Sequence, residues 1–447
     1  MELQKARHVQ YFQRCYTTVL PSVYTSMDSN RLLLGYFTLA GLDLLSSPSS
    51  ASAPTNEDSA PAPAPPQSLI PAADRQRLRD WVLAQQHRNG GFCGSPGHVQ
   101  PDTVKRGWNE AVSYPAVNDT ENVSLPGTYF ALLTLGLLAD EDETSVATAF
   151  RGVNRIGTLQ WIKRLQRPDG SFGEVVNADG SISGGRDMRY CYMAATIRWV
   201  LRGNEVGKDS DIDVDGMVRH IRKSQAYDGG FAESHMGESQ AGYAYCAVAA
   251  LSMLDLTAAG ADKPNHYLKA GIPNIAAMVR WLVSRQIVFT DSDESESEEE
   301  EEEGNIIEVP LSEMASLNVT GKVLGGFNGR PNKVADTCYA WWVAGALHVL
   351  NDALPEAASL DGASGREFLL QKTQNAYGGF GKDAGAPPDL FHSYLGLAAL
   401  ATMAGGKTEE GLGQFDVRLC IGKEAASRVD RARQFWAPAS TNDTTDA

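Results

Sequence analysis

A short glycine–phenylalanine punctuation recurs five times: Asn89-Gly-Gly-Phe-Cys, Asp169-Gly-Ser-Phe-Gly, Asp228-Gly-Gly-Phe-Ala, Leu324-Gly-Gly-Phe-Asn and Tyr377-Gly-Gly-Phe-Gly. Such a repeat narrows the fold sharply, because each copy is one supersecondary unit that buries its apolar face against its neighbours. Each punctuation follows a helix-like segment that often ends in Gln. Leu78-Arg-Asp-Trp-Val-Leu-Ala-Gln-Gln, Leu159-Gln-Trp-Ile-Lys-Arg-Leu-Gln and Val218-Arg-His-Ile-Arg-Lys-Ser-Gln are examples. Each also precedes an apolar segment rich in small residues. These are Thr128-Tyr-Phe-Ala-Leu-Leu, Arg189-Tyr-Cys-Tyr-Met-Ala-Ala, Gly242-Tyr-Ala-Tyr-Cys-Ala-Val, Asp336 to Leu347, and His392-Ser-Tyr-Leu-Gly-Leu-Ala-Ala. The unit is therefore helix, Gly-Phe loop, helix. The first helix is amphipathic, and the second is apolar nearly all round and predicted to be buried. The glycines let the chain turn between them. Arg31-Leu-Leu-Leu-Gly-Tyr-Phe-Thr-Leu-Ala-Gly-Leu-Asp reads as one more buried helix without its loop, which makes six. Six buried helices predict an all-α toroid, an α–α barrel of six hairpins in a single domain spanning 1–447. Its amphipathic helices lie outside, and Tyr, Phe, Trp and Ala wall a central cavity. The alternative is an open solenoid used as a non-catalytic helical-repeat scaffold.

Two stretches break the pattern. Residues 46–72 are Ser/Ala/Pro-rich and read as a disordered insertion. Residues 289–322, around the acidic run Asp291–Glu303, read as a second. Past Gly405 the repeat fades, and 437–447 read as a flexible tail. The net charge of −16 is mostly the acidic run, whose ten carboxylates leave only −6 for the remainder. A mildly acidic body excludes nucleic acid as an expected partner, since phosphate binding needs a basic face. No run of 18 apolar residues is present, so no membrane span is expected. The polar start, Met1 to His8, lacks the apolar core of a secretory signal. Six cysteines without paired spacing suit reduced thiols in a cytoplasmic protein.

The charged residues fall at equivalent places in different repeats. Arg189 opens one buried helix, and His235 lies in the loop before the next. Arg330 and Lys333 precede another, which Asp336 and Cys338 open, and His392 opens the last. In a ring of hairpins the inner helices run the same way, so these residues share one rim with the partial positive charge of the helix N-termini. Asp336, Cys338 and His392 form a carboxylate, thiol and imidazole set suited to zinc with a fourth position open, as catalytic sites keep it. Each has a bland alternative: an N-cap for Asp336, a small buried hydrophobe for Cys338, a core histidine for His392. Asp336 can join Cys338 on a metal only from the turn ahead of the helix, because i and i+2 do not share a helix face. The cations beside them make the rim a diphosphate site.

These residues carry a resemblance to the β subunits of the CaaX protein prenyltransferases, most closely those of protein geranylgeranyltransferase type I. Gly329-Arg-Pro-Asn-Lys-Val-Ala-Asp-Thr-Cys-Tyr-Ala-Trp-Trp resembles that family's zinc and diphosphate segment nearly position for position. His8-Val-Gln-Tyr-Phe-Gln-Arg-Cys, Gly41-Leu-Asp, Asp187-Met-Arg and Glu233-Ser-His are similar too, and the match covers about 6–405 outside the two insertions and a divergent 94–123. The resemblance implies zinc on Asp336, Cys338 and His392. It implies a prenyl diphosphate on His235, Arg330, Lys333 and Tyr339, with Arg189 nearby. It also implies an obligate α subunit that supplies a further lysine, and substrates ending in CaaX, usually with Leu last, such as Rho-type small GTPases. Leu33 stands where farnesyltransferases carry a bulky Trp, which favours geranylgeranyl diphosphate as donor. Lys382 stands where they carry an Asp linked to magnesium, so magnesium is not expected to be required. Phe391 fits neither pattern. A farnesyltransferase β subunit is the nearest alternative. A Rab-type β subunit fits less well, and the Asp-rich motif of a terpene cyclase is not found in the buried helices.

Overall fold

The computed structural model describes residues 1–46, 68–98, 122–139, 142–207, 210–257, 264–289, 324–354, 360–404 and 411–437. They form six helical hairpins. The pairs are α1 (Lys5–Thr17) with α2 (Arg31–Ser46), α3 (Ala72–Leu83) with α4 (Leu125–Leu137), and α5 (Arg155–Arg164) with α6 (Met188–Val200). Next come α7 (Val214–Lys223) with α8 (Ala241–Asp255), α9 (Ile275–Val283) with α10 (Thr337–Ala353), and α11 (Gly362–Phe368) with α12 (Leu390–Met403). The even helices pack side by side into a closed ring in which α12 returns to α2. They are apolar because they are enclosed: from Ala241 to Leu254 every residue of α8 except Tyr243 is buried. The odd helices lie outside. On α7 the buried Met217, Val218 and Ile221 face inward, and Arg219, Arg222 and Lys223 face away.

The Gln that ends the outer segments joins one hairpin to the next. The Gln166 amide accepts from the Asp213 N–H at 2.7 Å and donates to the Asp213 carbonyl at 2.8 Å. Gln225 brackets Asn274 the same way, and Gln286 brackets Asp361. Gln374 closes the circle on the N-terminus, at Gln4 N–H and the Glu2 carbonyl. The punctuation glycines have a matching role. Gly170, at φ +88°, backs onto the first turn of α7, where a Cβ would lie 1.9 Å from the Gly216 oxygen. Gly378, at φ +87°, backs onto α1, where a Cβ would lie 2.1 Å from the Arg7 oxygen. Only glycine fits there.

The first turns of the inner helices are stitched in the same sense. Leu32 N–H reaches the Gly94 carbonyl, Leu125 N–H the Glu174 carbonyl, Ala241 N–H the Gly329 carbonyl and Thr337 N–H the Lys382 carbonyl. Arg186 N–H reaches Glu233 at 3.3 Å, and Leu390 N–H reaches the Tyr24 hydroxyl at 2.9 Å. Each donor belongs to the start of one inner helix and each acceptor to the segment that leads into the next. All six N-termini therefore share one rim.

The first inner helix lacks the Gly-Phe loop, as its sequence reads: a 3₁₀ run, Ser22–Asn30, takes that loop's place between α1 and α2. The bounds of the two insertions need correction. Ser46 ends α2, and 68–72 are ordered with Ile70 buried, so of the first insertion only 47–67 lie outside the described residues. Phe289 is not in the second insertion. It ends strand Gln286–Phe289 and pairs with Leu324 of Leu324–Phe327; residues 290–323 lie outside the described residues, as do 438–447 of the tail. Beyond the repeat the chain folds on. A turn at Val417–Cys420 and a helix, α13 (Lys423–Ala432), cover the inside of the ring. Four tyrosines from four inner helices donate to this turn. Tyr36 and Tyr394 reach the Cys420 carbonyl at 2.8 and 2.5 Å, Tyr245 the Val417 carbonyl at 2.6 Å and Tyr192 the Arg418 carbonyl at 2.7 Å. Among the described residues no helix is long and apolar enough to cross a membrane, and all six cysteines are free.

Candidate metal centre

Asp336 and Asp389 both cap inner helices, which is why their side chains point along the rim. Asp336 accepts the Cys338 N–H at 2.7 Å, and Asp389 accepts the His392 N–H at 2.9 Å. The same capping oxygen, Oδ1, also faces the neighbouring helix. His392 Nε2 lies 3.4 Å from Asp336. The ligating atoms of Asp336, Cys338 and His392 all fall within 4.8 Å of one another. Asp336 and Cys338 are buried and His392 nearly so. Asp336 is thus both an N-cap and a member of the cluster, and it reaches Cys338 from the residue ahead of the helix.

The electrostatics of the cluster favour a cation. Burial pushes the Cys338 thiol well up, and the Asp336 carboxylate beside it pushes further. Burial alone would raise Asp336, but hydrogen bonds from His392 and Cys338 bring it below its ordinary value. Burial would lower His392, but Asp336 and Asp389 together outweigh it and carry it up to about 9. His392 Nδ1 sits 2.5 Å from Asp389. With one proton held on Nδ1 by Asp389, a metal would displace only the proton that Nε2 shares with Asp336, the usual second-sphere arrangement of a metal-ligating histidine. Sulfur, imidazole nitrogen and carboxylate oxygen at this spacing fit zinc.

The expected diphosphate residues lie around the α6, α8 and α10 N-termini. Arg189 is held by Asp187, with Nε to Oδ2 at 2.8 Å, and this pairing raises its already high pKa. Arg330 pairs with Glu238. The Tyr339 hydroxyl accepts from Gln240 at 3.1 Å, and burial with the nearby Cys338 pushes it up to about 12. His235 and Lys333 are exposed, His235 through Nδ1 against the Lys223 carbonyl. Lys382 is exposed beside the cluster: its carbonyl holds Thr337 N–H at 2.7 Å, and its charge works to lower Cys338. Leu33 is half-buried on α2. Phe391 lies edge-on to both His392 (5.1 Å) and Phe37 (5.7 Å).

Sequence reasoning missed three residues here. Asp389 was legible as a cap three residues before His392. Glu238 and Gln240 were not, because their partners Arg330 and Tyr339 are 92 and 99 residues away.

The family described as "Prenyltransferase alpha-alpha toroid domain" matches residues 3–421. The chain is 27% identical over 412 residues to the geranylgeranyl transferase type-1 subunit beta of Arabidopsis thaliana, over 90% of this chain and 85% of that one. It is 26% identical over 416 residues to the protein of the same name in Dictyostelium discoideum, over 89% and 90%. A solved Candida albicans protein geranylgeranyltransferase-I complexed with GGPP superposes with a TM-score of 0.68 and 26% identity, over 97% of this chain and 100% of that one. Farnesyltransferase β subunits match at lower identity.

Proposed function

The chain belongs to the prenyltransferase α–α toroid family, and from that premise we propose that it is the catalytic β subunit of a protein geranylgeranyltransferase type I. The reaction moves a geranylgeranyl group from its diphosphate to the cysteine thiol of a C-terminal CaaX sequence. The observation that carries this reading is the meeting of Asp336, Cys338 and His392 at the rim of an aromatic-walled ring. Relatives named for this activity align over most of their length, which favours the geranylgeranyl donor over farnesyl.

In this reading Asp336, Cys338 and His392 hold zinc, with Asp389 orienting the imidazole. Zinc bound there would lower the pKa of an incoming thiol so that it reacts as a thiolate at neutral pH. The isoprenoid lies along the aromatic wall, where burial of apolar surface holds it. Arg330, Lys333, His235 and Tyr339 take the diphosphate, with Arg189 nearby, and stabilise the charge that builds as the C1–O bond breaks. The new bond joins sulfur to C1, and diphosphate leaves. Lys382, beside the cluster, takes the place of a magnesium ion. An α subunit completes the enzyme, proteins such as Rho-type small GTPases are the acceptors, and the free cysteines suit a cytoplasmic setting.

Metal analysis of the purified heterodimer tests the reading. One zinc per β subunit is expected, with loss of both zinc and transfer in Cys338→Ala and no loss of fold. A folded heterodimer with no zinc would favour the scaffold.

A further inference from the structure

Leu33 is the position that resemblance ties to donor length, but the packing draws attention one turn deeper. Leu33 and Phe37 are four residues apart on α2 and share a face. The Phe37 ring lies edge-on to Phe130 of α4 at 6.0 Å and to Phe391 of α12 at 5.7 Å. Those helices flank α2 in the ring, and Phe391 in turn touches the rim histidine. Phe37 therefore lies on the inner face, between the metal cluster and the interior. Phe130 continues the surface from the next helix, with its ring 5.0 Å from both Tyr36 and Tyr129. Phe37 and Phe130 keep 6% and 7% exposure, whereas Tyr36 and Tyr394 behind them keep 1% and 0%.

The two layers differ in freedom. Tyr36 and Tyr394 are tethered by buried hydrogen bonds to the Cys420 carbonyl. Moving either would orphan a buried polar group. Phe130 has no polar tether. It is the apolar surface in front of a fixed wall, and an isoprenoid tail that passes Leu33 meets it.

We propose that Phe130, braced edge-on against Phe37, closes the donor pocket beyond Leu33 and sets the longest isoprenoid the chain accepts. The inference rests on the prenyl-transfer reading and adds the residue that measures the tail. Discrimination of this kind comes from whether the last apolar unit finds room.

The test uses the heterodimer with farnesyl, geranylgeranyl and geranylfarnesyl diphosphates, the last one isoprene unit longer. Competition binding and transfer are both measured for the unaltered protein, Phe130→Ala, Phe130→Leu and Leu33→Ala. Phe130→Ala is expected to shift the preference toward geranylfarnesyl by about tenfold or more. Phe130→Leu should give an intermediate shift, Leu33→Ala a smaller one than Phe130→Ala, and affinity for inorganic pyrophosphate should not change. The inference is overturned if both Phe130 variants keep the original preference, or if only Leu33→Ala shifts it. Should Phe130→Ala fail to fold, Phe130→Leu decides alone by the same criterion. If the unaltered heterodimer binds no prenyl diphosphate, the transfer reading falls and the inference falls with it.

Discussion

Asp389 touches no expected substrate, yet it fixes how His392 faces the cluster. Replacing it with Asn keeps a good helix cap but removes the charge 2.5 Å from Nδ1. Zinc affinity is predicted to fall about 10–100-fold, read by competition with a chromogenic chelator; unchanged affinity would mean that Asp389 only caps. Glu238 acts in the opposite direction. It pairs with Arg330, at a site where the two side chains, Arg330 and Glu238, are 40% and 61% exposed. An incoming diphosphate must compete with it. Glu238→Gln is predicted to tighten pyrophosphate binding by a modest factor, within the roughly 0.2–1 kcal/mol typical of exposed pairs, and less at high salt. Weaker binding in titration calorimetry would show instead that Glu238 orients Arg330 for the ligand.

At the scale of elements, ring closure is the step that makes six hairpins a barrel, and α1 performs it. Its His8 is fully buried against the last Gly-Phe loop, stacked on Phe380 at 4.8 Å. His8 Nδ1 accepts the Gly379 N–H at 3.0 Å, and Nε2 faces the Gln374 oxygen at 2.9 Å. This neutral tautomer is the one the site fits. Burial lowers His8 from 6.5 to about 4, although Gln374 works against the shift. The unfolded chain therefore takes up a proton below pH 6.5 that the folded chain refuses until about pH 4. Stability is full above pH 6.5, falls as pH drops toward 4, and levels off below. The component is about 3 kcal/mol at 1.36 kcal/mol per pH unit. His8→Gln should start less stable at pH 7 but lose less stability on going to pH 4.5. Parallel thermal-melt losses in the two proteins would contradict the assignment.

For the whole molecule, the ring was legible because its glycines, phenylalanines and glutamines are constrained at once by turn geometry and by the next hairpin. Asp336, Cys338 and His392 were legible because equivalent positions in a ring must meet. What closes the barrel was not. The acceptors that hold Tyr36, Tyr192, Tyr245 and Tyr394 are backbone carbonyls of Val417–Cys420, and no side-chain pattern announces a carbonyl. Likewise α1 escaped notice as an outer helix because its hairpin lacks the Gly-Phe loop. Phe130 gave no signal either, since one phenylalanine in an apolar helix looks like core until its neighbours are known.

The most direct measurement is single-turnover transfer by this chain assembled with an α subunit. The acceptor is a peptide ending in Cys-aliphatic-aliphatic-Leu, the donor geranylgeranyl or farnesyl diphosphate, with no added magnesium. Efficient geranylgeranyl transfer is predicted, with Lys382 in place of the divalent ion. Faster farnesyl transfer that depends on magnesium would contradict both the donor and the role of Lys382, and no transfer from either donor in a folded, zinc-free heterodimer would contradict the enzyme itself.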